Sequence, residues 1–335
     1  LECFILLPIG EKMKKTSLLL ACALSLSAHH GVPSVSLAGV EGPGAPIETT
    51  SSATLPKNEW LAFLKLDHAD YKTYTSERDG ELDRSDYWMY GVGYGFEPWL
   101  SGYAFLPYYT KSQDDAFTNS DFHDLILQGV VGFKYDEGLR LVPGSESLDD
   151  MEDWHFTASL SVTLPTGDSN RRDASGALID PGLQTGFGVP TFMFGLSMTK
   201  WFGNDWTFIA DASYNTFMEN EYDDGTKMRF GDESRLNAAV TYKLVGIPEK
   251  KLRLDLNMEA NYLALGRDEE NGVGAEATGG QILYLTPGAR FYYKTTSLAV
   301  GVKLPSWTDL NEEKLQQGAE GKENYRFLMT FSSLF

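Results

Sequence analysis

Cysteine is nearly absent from this 335-residue chain: Cys3 and Cys22 are the only two, and both precede the segment in which regular patterning starts. The body of the chain therefore has no disulfide framework, no thiolate zinc site and no cysteine nucleophile. Long apolar runs are missing too. A spanning helix needs roughly 20 consecutive apolar residues, and the one stretch approaching that begins at Leu18, which excludes a helix-bundle membrane protein. Histidine is scarce. His68, His123 and His155 are the only ones past residue 38, no two have metal-ligand spacing, and H-E-x-x-H does not occur, so neither a metal nor a cofactor is expected. Basic residues are outnumbered 47 to 28 by acidic ones, a formal net charge of -19. Phosphate binding requires clustered Lys and Arg, so nucleic acid is not an expected partner.

What is present begins with a leader. Met13, Lys14 and Lys15 precede an apolar stretch from Leu18 to Leu26, and Ser36-Leu37-Ala38 supplies the small residues a signal peptidase reads. Residues ahead of Met13 have no counterpart in that architecture and are read as upstream of the true start, which makes 1–38 a removable unit. Leu19-Leu20-Ala21-Cys22 imitates a lipoprotein box, but the apolar core ahead of Cys22 is only about six residues, short of the usual length. From 39 to 58 the composition is Gly, Pro, Ser and Thr, the pattern of a flexible periplasmic arm.

A period of two governs 59–335. Leu252, Leu254, Leu256, Met258, Ala260 and Tyr262 alternate with Arg253, Asp255, Asn257, Glu259 and Asn261. A helix, with its period of 3.6, could not put these sets on opposite faces. The same alternation recurs from Phe156 to Leu164 and from Trp206 to Asn215. Such segments are longer than most soluble strands and match the roughly 9 to 11 residues of a tilted strand crossing a bilayer. The expectation is all-β: a transmembrane antiparallel up-and-down β-barrel of about 12 strands, near 60–68, 87–96, 99–109, 122–135, 153–165, 188–202, 205–218, 234–246, 251–265, 281–293, 297–305 and 324–335. Tight turns at Glu97-Pro98, Gly203-Asn204, 246–250 and 294–296 then face the periplasm, and longer external loops alternate with them. The connection 136–152 breaks the rule, being long where a short turn is due.

Tryptophan supports the same frame. Trp60, Trp99, Trp154, Trp201 and Trp206 fall at the periplasmic ends of these strands and Trp88 and Trp307 at the external ends, as a membrane-interface girdle requires. Tyr325, Phe327, Met329, Phe331 and the terminal Phe335 form one aromatic face of the last strand, like the signal read by the outer-membrane assembly machinery; Ser333 interrupts it. The expected surroundings are the lipid bilayer and lipopolysaccharide of a bacterial outer membrane.

Other motifs have structural readings. Gly91-Val92-Gly93-Tyr94-Gly95 precedes another strand and not a helix, so it is no dinucleotide fingerprint. His155 with Ser159 and Ser161 imitates a lipase site, yet all three share the lumen face. His68 and His123 with Asp83, Asp86 and Asp121 imitate an omptin-type protease at the external rim. No catalytic residue is assigned. External loops carry most of the acidic charge, whereas the lumen phase holds a mild basic excess; Arg253, Asp255, Glu259, Arg290, Lys303 and Arg326 are the candidate pore-lining residues. Two readings stand: an anion-tolerant constriction beneath acidic loops, or lumen charges that pair with one another while loop carboxylates bridge cations or lipopolysaccharide.

The stretch from Leu160 to Asp168, ending in LPTGD, resembles a signature of outer-membrane channels associated with the meta-pathway of phenol degradation. Gly182 to Gly188 followed by Phe192 to Lys200, Phe202-Gly203 and Trp206 is similar to that family's glycine-rich loop, strand, turn and strand. Gly301 to Pro305, Asp309-Leu310-Asn311 and Asn324 to Phe335 resemble its closing hairpin, so the likeness spans roughly 153–335; Gly186-Phe187-Gly188 departs from it, a smaller polar residue being usual at the centre. The resemblance implies an outer-membrane channel, and the expected function is passive passage of small organic or aromatic solutes through a monomeric barrel. The alternatives are an outer-membrane lipase or omptin-like protease and a sealed structural barrel.

Overall fold

The computed structural model describes residues 33–71, 82–113, 117–203, 205–313 and 323–335. Twelve long strands form its wall: β1 (Trp60–Tyr71), β2 (Leu82–Glu97), β3 (Leu100–Gln113), β4 in two pieces (Phe117–Phe122 and Leu125–Tyr135), β5 (Trp154–Leu164), β6 (Thr191–Phe202), β7 (Trp206–Phe217), β8 (Glu233–Ile247), β9 (Leu252–Leu265), β10 (Gly280–Tyr293), β11 (Thr296–Leu310) and β12 (Glu323–Leu334). Each pairs antiparallel with its neighbours in sequence, and β1 pairs with β12, from Leu61 opposite Leu334 to Tyr71 opposite Glu323. The sheet is closed. Phe335 completes the seam by exchanging backbone hydrogen bonds with Trp60, at 2.7 and 2.9 Å.

Both pieces of β4 pair with β3, and the break between them has a local cause. Pro107 of β3 has no N–H to donate. The ladder opens there, and the His123 amide donates to the Pro107 carbonyl at 2.8 Å. Several strands also run further on the external side than the periodicity indicates. β2 starts at Leu82, β3 reaches Gln113 and β11 reaches Leu310.

The pleat sorts the side chains as the alternation requires. Leu256 and Met258 are 45% and 54% exposed, whereas Arg253, Asp255 and Glu259 on the alternate phase of the same strand are at most 1% exposed. An outer surface that also bears exposed Leu160, Phe194, Leu196 and Leu236 could not remain in water. It is the lipid-facing belt of an outer-membrane β-barrel. Tyr325, Phe331 and Phe335 of the last strand lie on that belt.

The Trp girdle needs one correction. Trp60, Trp88, Trp154, Trp206 and Trp307 follow the outward phase of their strands, and Trp99 lies in the β2–β3 turn. Trp201 shares instead the inward phase of β6 with Ser197 and Thr199, and Lys243 sits over its ring at 5.3 Å from the centroid. Position near a strand end was visible in the sequence; the side on which the ring falls depends on strand phase, which turns Trp201 into the periplasmic mouth.

The long connection 136–152 is a floor. Leu139–Leu141 pairs back onto β4, and the rest folds under the mouth with Val142 and Met151 buried. At the opposite end, two loops join through a small four-stranded sheet of Asn220–Glu221, Lys227–Arg229, Glu269–Glu270 and Val273–Gly274. The loop 166–187 tucks beneath, with Leu183 and Phe187 buried.

The expected flexible periplasmic arm is found inside the barrel. Ala45, Ile47, Thr49, Ser52 and Leu55 are at most 1% exposed. A chain segment poor in large apolar residues cannot bury itself by hydrophobic contact, but it can be held by polar side chains already lining a lumen. The leader up to residue 32 lies outside the described residues.

Candidate functional site in the barrel lumen

The arm enters from β1 at the periplasmic rim, where the Asn58 amide donates to the Gly95 carbonyl at 2.8 Å. It climbs to an apex at Glu48 and Thr49, descends to 39–44 at the periplasmic mouth, and climbs again towards Pro33. Because it joins no strand ladder, its N–H and C=O groups need other partners. The lumen side chains provide them.

Glu259 of β9 accepts the amides of Ile47 at 2.6 Å, Glu48 at 3.2 Å and Thr49 at 2.7 Å, and the Thr49 hydroxyl at 2.7 Å. Asp211 of β7 accepts the Thr50 amide at 2.7 Å. Arg290 of β10 donates to the carbonyls of Ala45, at 3.1 Å, and Pro46, at 2.5 Å. Arg253 of β9 donates to the Gly42 carbonyl at 2.6 Å while its Nε is held by Asp255 at 2.6 Å. The arm contributes a charge of its own. Glu48 at the apex bridges Lys65 of β1, at 2.8 Å, and Lys303 of β11, at 3.4 Å. Arg326 is paired with Glu323 at 2.5 Å and Asp67 at 3.3 Å.

The six candidate lumen residues thus all point inward, but onto the arm, one another or, for Arg326, the wall carboxylates Glu323 and Asp67. The reading in which lumen charges pair together describes this arrangement. Sequence reasoning placed the wall groups by phase; it could not see Glu48, which has no periodic neighbours.

The other half of the lumen is apolar. Tyr87, Met89, Tyr103, Phe105, Ile126 and Val130 of β2–β4 form one buried cluster with Leu55 of the arm and with Val35 and Leu37, which belong to the last residues of the expected leader. The glycines of β2 make room for it. A Cβ on Gly91 would lie 2.5 Å from the Phe105 ring, and one on Gly95 would lie 2.1 Å from the Pro56 carbonyl oxygen. Small cavities remain beside the arm. One of about 40 Å³ is lined by Ser and Thr hydroxyls of β5–β7 and by Tyr103, Val130 and Met193; one of about 30 Å³ lies above it, beneath His123 and Phe187.

An inward loop lies across the external end. Asp124, freed from the ladder by the break in β4, accepts the amides of Gly167 at 2.7 Å and Phe187 at 2.8 Å. Lys111 donates to the Gly182 carbonyl at 2.6 Å and Asn119 to that of Leu183 at 2.7 Å. Two loop carboxyls are buried there: burial pushes Asp180 up to about 7 and Asp268 up to about 7.

The enzyme-like constellations are not assembled. His155 bonds Glu146 of the floor at 2.7 Å through Nε2, and its Nδ1 faces the Asp153 carbonyl at 3.0 Å, leaving neither nitrogen for Ser159 or Ser161. His68 pairs with Asp86 at 2.6 Å on the outer phase of β1, while His123 is buried against Phe187 inside, and Asp121 meets Arg171 at 3.2 Å.

No curated protein matches the chain in sequence. Among solved structures, the chain is similar to an outer-membrane channel from Pseudomonas putida F1, with a TM-score of 0.63 at 15% identity, covering 85% of this chain and 98% of that one. It also resembles the β-domain of the Bordetella autotransporter BrkA, at 10% identity over 84% of this chain and 100% of that one, though with a TM-score of only 0.44. At such identities these likenesses concern the fold. The family profile described as "Putative MetA-pathway of phenol degradation" matches residues 69–319, three quarters of the sequence, and the chain belongs to that family.

Proposed function

We propose that the barrel is a channel for small organic solutes, aromatic ones among them, across the outer membrane. The observation that carries this reading is the division of the lumen. Tyr87, Met89, Tyr103, Phe105, Ile126 and Val130 present an apolar strip, hydroxyl groups of β5 and β6 run beside it, and the charged residues are drawn to the opposite wall by the arm. A general porin for ions and sugars has no use for an apolar strip in a water-filled lumen. A small aromatic molecule bearing a hydroxyl group matches both surfaces. The family description and the similarity to a channel fold agree with it. The pore would belong to a single chain, because the barrel closes on itself, and Tyr325, Phe327, Met329, Phe331 and Phe335 would be the face read during assembly.

A sealed structural barrel is the competing reading, favoured by the arm within the lumen. Flux into liposomes distinguishes the two. Entry of phenol-sized solutes well above protein-free controls, with little entry of disaccharides, supports the channel; permeation of neither rejects it.

A further inference from the structure

The register of the wall sets six inward side chains next to one another at one level of the lumen. Tyr103 of β3 lies opposite Gln128 of β4, Gln128 opposite Ser161 of β5, Ser161 opposite Met193 of β6, Met193 opposite Asn215 of β7, and Asn215 opposite Glu233 of β8. All six are buried. Hydrogen-bonding groups and apolar surface are thus interleaved along a single arc of wall.

This arc is not self-sufficient in the way a lower one is. Four residues nearer the periplasm on the same strands, Thr157 and Ser197 bond one another at 2.5 Å, and Asn237 donates to Asp211 at 2.9 Å. The Ser161 hydroxyl, in contrast, is buried and has no hydrogen-bond partner among the described residues. Leaving such a group without a partner is costly. Something outside the chain is needed to meet it, either water or the polar group of a solute.

The surroundings favour a solute with an apolar body. Ser161 lines the upper cavity with Tyr87, Ile126, Met193 and Phe187, and Met193 also lines the middle cavity, with Tyr103 and Gln128. Pro33 lines both cavities, so its five-membered ring sits where they meet. Pro33 belongs to the expected leader, which the mature protein does not carry. In the mature chain its place and the two cavities become one space, which admits a ring and has both cavities to spare. The charged member of the arc is already matched, since Arg235 holds Glu233 at 2.8 Å. An aromatic carboxylate would enter as a buried, unpaired ion, whereas a neutral molecule carries no such cost.

We propose that the arc from Tyr103 to Asn215 is a binding station for neutral, hydroxyl-bearing aromatic solutes: the ring lies against Met193, Ile126 and Tyr87, and its hydroxyl group bonds Ser161 beside the amides of Gln128 and Asn215. The station separates phenols from plain aromatic hydrocarbons, because a hydrocarbon leaves Ser161 buried without a partner. It rests on the channel reading, and binding is measured apart from flux so that the two can fail separately.

Met193→Cys, in a chain with Cys3 and Cys22 changed to Ser so that it holds one thiol, is purified from outer membranes and checked for the heat-modifiable barrel band. Its reaction with methyl methanethiosulfonate, a small neutral reagent, is then timed with and without solute. Phenol is expected to slow the reaction at least about threefold, reaching half-protection at a concentration about fivefold below that of benzene. Adding Ser161→Ala is expected to raise the half-protecting phenol concentration about fivefold and to leave that of benzene within about twofold. Protection by neither solute overturns the proposal, because water alone then fills the arc; no reaction at all overturns it too, because small solutes then do not reach Met193. Equal protection by phenol and benzene, or a phenol value indifferent to Ser161→Ala, removes the assigned discrimination and with it the proposal. In liposomes, solute flux without protection leaves the channel standing and the station overturned, whereas protection without flux keeps the station and rejects the channel.

Discussion

Glu259 holds Thr49 twice, taking its amide at 2.7 Å and its hydroxyl at 2.7 Å through the same carboxylate oxygen. With the Ile47 amide on the other oxygen, one buried wall side chain fixes the apex of the arm. Hydrogen bonds to a charged group contribute about 1.5–3 kcal/mol each, so Glu259→Gln, which keeps shape and loses charge, is expected to loosen the apex without opening the wall. Hydrogen exchange of the Ile47, Glu48 and Thr49 amides is expected to speed by about 10- to 100-fold, while that of β9 and β10 stays constant. Unchanged exchange at 47–49 would mean that the carboxylate does not hold the arm.

Glu48 is the counter-charge for Lys65 and Lys303. Removing one member of a buried pair strands the other, at about 3–5 kcal/mol. Glu48→Gln strands two cations at mid-lumen, and the pore is expected to relieve this by admitting anions. The reversal potential in a salt gradient is expected to move towards the anion side relative to wild type, with a smaller move for the double variant Glu48→Gln, Lys303→Gln. A shift towards cations in the single variant would contradict the assigned pairing.

The wall was legible from sequence because strands such as β5, β7 and β9 segregate apolar from polar residues over about ten positions, and because phase alone decides that Arg253, Asp255 and Glu259 face inward while Leu256 and Met258 do not. The arm was not legible. Its hydrogen bonds go to side chains far away in sequence, so Gly42, Pro46 and Thr49 show no period, and their composition is that of a linker. The apolar half of the lumen was hidden for a related reason. Met89, Tyr103, Phe105 and Val130 share the inward phase with small and polar residues, so within any one strand they break the apolar-out pattern, and only closure of the barrel gathers them. Gly91 and Gly95 carried the missing signal: glycines repeated on one face of a strand mark a close approach.

The external cap should respond to pH. Asp180 and Asp268 rise from the usual carboxylate range to about 7 because they are buried when the loops are closed. Well below pH 4, both groups are neutral in closed and open loops alike. Between about 4 and 7 the open form ionises and the closed form does not, so the stability of the closed cap falls as pH rises and levels off above about 7. Leu183→Cys, in a chain with Cys3 and Cys22 changed to Ser, is expected to react several-fold faster with a thiol reagent at pH 8 than at pH 5. Rates are normalised to Ser175→Cys on the exposed part of the same loop, which cancels thiolate formation. Adding Asp180→Asn and Asp268→Asn is expected to flatten the difference; a cap opening more at acid pH would reverse the assigned sign.

Gly95 offers the sharpest steric test of the arm's position. A methyl group there would meet the Pro56 carbonyl oxygen at 2.1 Å and that of Leu55 at 2.8 Å. Neither can retreat easily, since the Leu55 amide is bonded to Ser101 and the Asn58 amide to the Gly95 carbonyl itself. Gly129 is the matched control, a strand glycine on the lipid side whose added Cβ would meet nothing within 4 Å. Overpacking of a filled interior costs about 1–3 kcal/mol, so Gly95→Ala is expected to lower the urea midpoint of the refolded barrel or to release 52–58 to limited proteolysis, whereas Gly129→Ala changes neither. If both variants behaved alike, the arm would not lie against β2, because only its backbone distinguishes the two sites.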